Sequence, residues 1–334
     1  MTTIDMPNAQ SIPLRPAGST MSAVTYEDYG DASVLKSSTV DVPHRRPGQL
    51  LLQVVASSVN PIDYRMRQGE MRAVLPGGFP RIPGYDVAGY VADNGGDGPF
   101  QVGDRVIAFL KHLTGGASAD YATCAVHCVA KIPDDLPFDE AAAMPLAGTT
   151  ALQSLRDHAK MQAGNRVLVN GASGGVGMFA VQIAKASGCH VDAVASADNE
   201  AYCRSLGADG FIDYTQADFT KIGQTWDIIF DAAGKSSYFE ARAVLASGGH
   251  YVSTEPNLSG LAVSLLTWPL SKSGRIMLAK PNGEDLLQLI DLYRQSKLKI
   301  TIDRHYGLSQ LADAHRRVEQ GVDRGKVVVM NDSM

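Results

Sequence analysis

Gly164-Asn165-Arg166-Val167-Leu168-Val169-Asn170-Gly171-Ala172-Ser173-Gly174-Gly175-Val176-Gly177 decides the fold. Val167-Leu168-Val169 is a short apolar strand, and the glycines behind it let the backbone reverse at once. Beyond the turn, Val176, Phe179, Ala180, Ile183 and Ala184 recur at helical spacing. A strand that turns through glycines straight into a helix is a cradle for a pyrophosphate. The backbone can approach closely, and the amides and dipole of the helix start stabilise negative charge. A second strand, His190 to Ala195, about 20 residues on supplies the rest of the context such a dinucleotide site requires. The first glycine of the usual fingerprint is Ala172. The competing reading is a glycine-rich turn with no ligand.

Downstream, strands and helices keep alternating. Phe211-Ile212, Trp226 to Phe230 and Tyr251-Val252-Ser253 read as strands, and Glu200 to Leu206 and Tyr238 to Leu245 as helices. Short, mostly apolar strands between helices imply an α/β fold with a doubly wound parallel sheet covered on both faces. One more strand is expected at Ile276 to Leu278 and a helix at Asp285 to Gln295. Strand character returns at Lys299 to Ile302 and Lys326 to Met330 around a helix at Leu308 to Glu319. Residues 258–270, charge-free and carrying Trp268, fit a wall over a substrate, a subunit interface or an ordinary buried helix.

Upstream the texture differs. Leu50 to Val59, Val87 to Val91, Arg105 to Phe109 and Tyr121 to Ala130 are apolar runs cut by Gly77-Gly78, Gly95-Gly96, Gly103-Asp104 and Gly115-Gly116. Many short strands with glycine turns predict a β-rich domain or barrel. The change comes near Asp139-Glu140, ahead of an uncharged helical stretch from Ala141 to Leu155. Residues 1–20, with Pro7, Pro13 and Pro16, read as a flexible polar lead-in.

The whole chain is consistent with that division. Its 334 residues suit two domains at about 150 residues each. Thirty Lys and Arg against 35 Asp and Glu leave a net charge of -5, which argues against a nucleic-acid binder. The longest uncharged window, Val167 to Ala184, is broken by four glycines, Asn170 and Ser173, so no integral membrane segment is expected. Four cysteines, at 124, 128, 189 and 203, are too few and scattered for a disulfide framework. With no secretory layout at the start, they imply a reducing, cytoplasmic location.

The second strand ends at Ala195-Ser196-Ala197, where a free ribose 2′-hydroxyl would usually meet Asp or Glu. Ser196 suits a 2′-phosphate better, with the amide of Asn199 as a further donor, so NADPH is favoured over NADH. Arg204 and Tyr214 are the other phosphate partners in that neighbourhood, while Asp198 would repel the phosphate. Asp192 lies too early in the strand for this role.

Together, Ala172 to Gly177 with Gln182 and Lys185, Val59-Asn60-Pro61-Ile62-Asp63, Pro83-Gly84-Tyr85-Asp86-Val87-Ala88-Gly89, Gly103-Asp104-Arg105-Val106 and Gly325-Lys326-Val327-Val328 carry a resemblance. From about residue 22 to 330 the chain resembles the zinc-independent quinone oxidoreductases of the medium-chain dehydrogenase/reductase superfamily. Ser205-Leu206-Gly207-Ala208-Asp209, Asp213-Tyr214 and Lys280-Pro281-Asn282-Gly283-Glu284 are similar to the branch holding the chloroplast-envelope quinone oxidoreductase homologue and the enone oxidoreductases. The resemblance implies a GroES-like β-barrel substrate domain at 21–143, a Rossmann NADP-binding domain at 144–296 and a return to the substrate domain at 297–334. It implies no metal, because Asn60, Tyr85 and Pro145 stand where zinc-bearing relatives carry ligands. It also implies that Thr149 and Asn60 lie beside the nicotinamide. Ala172, Ser173, Gly174, Gly175 and Val176 would line the pyrophosphate, with Ala232 and Ser253 at the carboxyl edge of the sheet.

Without a Lewis acid an isolated ketone is hard to reduce, whereas a conjugated carbonyl spreads the developing charge onto an oxygen that hydrogen-bond donors can hold. The expected reaction is hydride transfer from NADPH to the conjugated C=C of an α,β-unsaturated ketone or aldehyde. The alternatives are quinone reduction and a non-catalytic NADPH-binding scaffold. Asn60 and Tyr64 are the candidate catalytic donors. Tyr64 fits an enolate partner, a proton donor or a half-buried loop tyrosine. Asp63 and Asp86 read as loop-capping carboxylates. A late edge strand near Ile276 and family habit imply a homodimer.

Overall fold

A computed structural model describes residues 19–73, 78–96, 98–255, 263–264, 266–267 and 270–332. In the first part, β1 (Thr20–Thr25) pairs antiparallel with β2 (Lys36–Asp41). β3 (Gln49–Val59) pairs antiparallel with β4 (Asp86–Asp93), and β4 with β5 (Arg105–Phe109). β6 (Tyr121–Ala125) joins β3, and β7 (Val129–Lys131) joins β5. Tyr121 to Ala130 is therefore not one strand. A 3-10 turn at Val126–Cys128 breaks it, because its two halves pair with different partners. Helix α1 (Pro61–Gln68) starts directly after β3. Pro61 sits at the first turn, where its missing N–H is not needed, and the Asp63 carboxylate accepts the Asn60 N–H at 2.7 Å.

α2 (Phe138–Ala142) and α3 (Pro145–Gln153) replace the single helix expected from Ala141 to Leu155, since Pro145 opens a new helix and cannot continue the old one. The doubly wound unit then runs β8 (Arg166–Asn170), α4 (Gly177–Ala186), β9 (His190–Ala195), α5 (Glu200–Ser205), β10 (Gly210–Asp213), β11 (Trp226–Asp231), α6 (Tyr238–Ala241), β12 (Leu245–Ser253) and β13 (Ser273–Ile276). All six strands are parallel, in the order β10-β9-β8-β11-β12-β13. Val167, Leu168 and Val169 are wholly buried because β8 has a strand on each side and a packed layer on each face. The chain order reverses between β8 and β11, so a crevice opens beyond the carboxyl ends of those strands. The helix expected up to Leu245 ends at Ala241 and tightens into a 3-10 turn, and the strand expected at Ile276 to Leu278 ends at Ile276. Most of residues 1–20 and of 258–270, Trp268 included, lie outside the described residues.

The last part runs through α7 (Gly283–Arg294), β14 (Ile302–Gly307), α8 (Leu311–Glu319) and β15 (Lys326–Met330). The strand expected at Lys299 to Ile302 begins only at Ile302. β15 pairs antiparallel with β3 and parallel with β14, so the end of the chain completes the sheet begun by its first half. Burial of Val327, Val328 and Val329 drives this return. It also carries Arg324, Gly325 and Lys326 across the crevice.

Candidate active site

The glycine turn grows out of the carboxyl end of β8. Gly171 has φ +83°, and a Cβ there would lie 2.8 Å from the Ala233 Cβ; a Cβ on Gly177 would lie 2.0 Å from the Gly171 carbonyl oxygen. Only glycine fits either position. The amides of Gly171 and Ala172 both donate to the Val194 carbonyl, at 3.0 and 3.1 Å, tying the turn to β9. Ala172 and Ser173 are buried, while Gly174, Gly175 and Val176 are half-buried just ahead of α4; in its first turn the Met178 and Ala180 amides donate to the Gly174 and Val176 carbonyls at 2.9 and 3.1 Å. Beside the turn, buried Asp231 accepts from Asn170 Nδ2 at 2.9 Å and from the Ser236 amide and hydroxyl at 2.8 Å. That network fixes the crossing of β8 and β11 and leaves Ala232 half-exposed at the edge. Ser253, at the end of β12, is buried, and its hydroxyl accepts the Glu255 amide at 3.2 Å.

At the end of β9 the side chains form a relay. Arg324 Nε donates to Asn199 Oδ1 at 2.6 Å, and Asn199 Nδ2 donates to Ser196 Oγ at 3.0 Å. A second Arg324 nitrogen reaches the Asp198 carbonyl, and the guanidinium lies 5.5 Å from the Tyr202 ring centroid. The Asn199 amide, expected to be a free donor, is taken by the Ser196 carbonyl at 2.9 Å. Arg204 is not part of this group: its guanidinium is held by Glu200 at 2.8 Å and by the Asp209 carbonyl at 3.2 Å. Tyr214 is exposed, with its amide on the Ala195 carbonyl at 3.2 Å, next to Ser196. Sequence reading missed Arg324, whose partner lies 125 positions away. The signal available was its place immediately before the closing motif Gly325-Lys326-Val327-Val328.

At the other end of the crevice the groups are dry. Asn60, Asp86, Thr149 and Lys326 are all at most 4% exposed. Asp86 accepts from the Ser58 hydroxyl, from Asn60 Nδ2 at 2.7 Å and from the Leu146 amide at 2.7 Å. Lys326 Nζ donates to Asn60 Oδ1, lies 3.4 Å from the Val59 carbonyl and faces Asp86 at 3.7 Å. Burial lowers the Lys326 ammonium pKa below the usual lysine value, against the pull of the Asp86 and Asp63 carboxylates. Burial pushes the Asp63 carboxyl up to about 7, opposed by the Asn60 amide and aided by the charge of Asp86. Asp63 thus closes the α1 turn, as its spacing suggests, while Asp86 ties β3, β4 and α3 together. The Thr149 hydroxyl is buried with no partner among the described residues. Tyr85 donates its hydroxyl to the Leu113 carbonyl at 2.8 Å. Tyr64 is half-exposed on α1, immediately before Arg65, whose guanidinium makes three hydrogen bonds of 3.0–3.1 Å to Glu255 beyond β12.

Residues 46–134 match the family of alcohol dehydrogenase GroES-like domains, and residues 206–329 the family described as zinc-binding dehydrogenase. The chain is 34% identical over 328 residues to the chloroplast envelope quinone oxidoreductase homolog of Arabidopsis thaliana, covering 94% of this chain and 99% of that protein. It is a medium-chain dehydrogenase/reductase of the quinone oxidoreductase type. This medium-chain oxidoreductase is also 34% identical over 321 residues to the chloroplastic NADPH-dependent alkenal/one oxidoreductase of Arabidopsis thaliana, with 92% and 79% covered. The solved quinone oxidoreductase from Coxiella burnetii superposes with a TM-score of 0.84 at 32% identity, covering 93% of this chain and 99% of that one.

A nicotinamide dinucleotide fits the residues present. The glycine cradle admits no side chain at Gly171 or Gly177, and Thr149 keeps an orphaned buried hydroxyl at the far end. Zinc, which one matched family's description implies, does not fit. Asn60 is taken up by Lys326 and Asp86, Tyr85 by a carbonyl, and Pro145 has no donor. Among the described residues no three His, Cys, Asp or Glu side chains come together to hold a metal. No helix among them is long and apolar enough to cross a membrane.

Proposed function

We propose that this medium-chain reductase uses NADPH to reduce the conjugated C=C of α,β-unsaturated ketones or aldehydes, without zinc. One observation carries the reading. The crevice runs from a phosphate-suited relay at Ser196 to a junction whose electrophiles are hydrogen-bond donors alone, so the acceptor itself must delocalise the incoming charge. The name of the alkenal/one oxidoreductase relative supports the same chemistry.

In this reading Ser196, Asn199 and Arg324 hold the 2′-phosphate. The turn from Ser173 to Val176, leading into α4, binds the pyrophosphate, with Ala232 and Ser253 along the edge. Thr149 offers its unpaired hydroxyl at the nicotinamide end, and Tyr214 shelters the adenosine side. Bound NADPH supplies the hydride. Tyr64, half-exposed beside the Arg65–Glu255 clasp, donates to the developing enolate oxygen or returns a proton. Asn60, held by Lys326 and Asp86, is the second donor at that end. The second reading, quinone reduction, rests on the names of the Arabidopsis and Coxiella relatives. β13 lies at the edge of its sheet, which fits pairing with a second copy, a homodimer. Four free, buried cysteines fit a reducing cytoplasmic compartment.

The test is oxidation of NADPH and NADH by chelator-treated protein against enones, enals and quinones, with product analysis. A saturated ketone formed with NADPH supports the reading. Turnover of quinones alone moves the assignment to the second reading. Tight NADPH binding with no oxidation by any acceptor leaves a non-catalytic scaffold.

A further inference from the structure

Three consecutive residues touch the crevice at three points. Arg324 holds Asn199 in the relay that ends at Ser196; the Gly325 amide donates to the Ser173 carbonyl of the glycine turn at 3.0 Å; Lys326 holds Asn60. The alkyl stem of Lys326 also lies against the turn, since a Cβ on Gly175 would stand 2.8 Å from Lys326 Cδ. One short segment therefore links Ser196, the turn at Ser173 and Asn60, the groups assigned above to the two ends and the middle of the dinucleotide. Resting on the coenzyme reading above, we infer that Lys326 is a positioning residue for hydride transfer, one that locks the orientation of the Asn60 carboxamide.

The chemistry of the partners leaves one orientation. An ammonium has three donors and no acceptor, so Lys326 takes the Asn60 oxygen; an ionised carboxylate only accepts, so Asp86 takes the Asn60 NH2. Asn60 is left with one further N–H, a donor, for whatever meets it from the crevice. Without the ammonium the amide oxygen loses its tether, and the carboxamide, held by Asp86 alone, can swing about that one bond. Its second N–H then no longer stands where it would stabilise an enolate or hydroquinone oxygen. Lys326 acts only through Asn60 and touches no reacting atom.

A four-protein cycle tests this: wild type, Lys326→Met, Asn60→Ala and the double variant. Lys326→Met is expected to lower kcat on the order of ten- to a hundredfold, below the roughly hundred- to thousandfold cost of losing an oxyanion donor outright, because Asn60 is displaced and not removed; the KM for NADPH should change less than about threefold. In the Asn60→Ala background the same change is expected to cost almost nothing further, because coupled residues are not additive. Losses that multiply, or a folded Lys326→Met protein with wild-type kcat, overturn the inference. A second readout needs no turnover: the fluorescence lifetime of bound NADPH, which reports the surroundings of the nicotinamide. It is expected to shift alike in both single variants and no further in the double variant. If wild type binds NADPH but reduces no acceptor, the catalytic reading fails while the lifetime cycle still decides the role of Lys326. Should Lys326→Met not fold because it strands Asp86, Lys326→Arg keeps the cation for Asp86 while displacing the donor from Asn60, and its kcat and lifetime are read in the same cycle.

Discussion

The two ends of the crevice are built from opposite materials. At the Ser196 end a half-buried serine and a buried asparagine flank an exposed turn, and a single exposed arginine from a distant segment organises them. At the Asn60 end an aspartate, an asparagine and a lysine are almost completely withdrawn from water. In water a lost hydrogen bond is replaced by the solvent, so a change at the wet end alters what binds and leaves the fold alone. In the dry end the groups satisfy one another with no water to replace a lost partner, and removing one leaves others short. Binding specificity and structural integrity are thus separated along one cleft.

The largest expected effect lies at the dry end. Asp86→Ala leaves the Ser58 hydroxyl, the Asn60 amide group and the Leu146 N–H without their acceptor and the Lys326 ammonium without its counter-charge. Breaking a buried pair in this way costs roughly 3–5 kcal/mol, which lowers the melting temperature of the coenzyme-free protein on the order of 10 °C. Thermal and urea unfolding measure it. A loss below about 1 kcal/mol would place Asp86 with exposed ion pairs and erase the contrast between the two ends.

Next comes Arg324→Ala. Losing a charge-assisted hydrogen bond to a phosphate is worth about 1.5–3 kcal/mol, so the Kd for NADPH should rise roughly ten- to a hundredfold. NADH, which lacks that phosphate, should bind as before, and the melting temperature should hold. Titration of both coenzymes decides it: equal weakening of the two would mean that Arg324 shapes the Asn199 turn and does not read the phosphate.

The same contrast explains what sequence reading found. The alternation after Gly164 showed the parallel sheet because each strand and each helix face carries its own apolar period, and β5 and β9 lie where their residues suggest. Local turn chemistry was legible too, as at Asp63 closing α1. What escaped was whatever depends on chain return. Arg204 is near Ser196 in sequence, but Glu200, one helical turn before it, takes its guanidinium; Arg324 serves the site from beyond β14 and α8. Lys326 was visible only as part of a closing motif, because nothing local shows that a lysine at the head of an apolar strand will be buried against Asn60. Burial is a property of the assembled sheet, and no periodicity within five residues encodes it.

The smallest expected effect tests whether the rim belongs with the wet end. Arg65 and Glu255 join α1 to the segment beyond β12 through three hydrogen bonds, with side chains 29% and 36% exposed. Tyr64 precedes Arg65 on the same helix, so loosening this clasp lets the phenol drift without touching the buried network. An ion pair with this much exposure is worth up to about 1 kcal/mol, and salt screens it further. Glu255→Gln keeps an acceptor for Arg65 and removes the charge. It should raise the KM of the acceptor by about threefold or less at low ionic strength, and the difference from wild type should fade as salt is added. kcat and the Kd for NADPH should stay put, because Asn60, Lys326 and Arg324 are untouched. Steady-state kinetics across a salt series measures all three. A hundredfold fall in kcat that salt does not relieve would show the clasp to be as indispensable as Asp86, and the boundary between the wet and dry ends would move outward to include Tyr64.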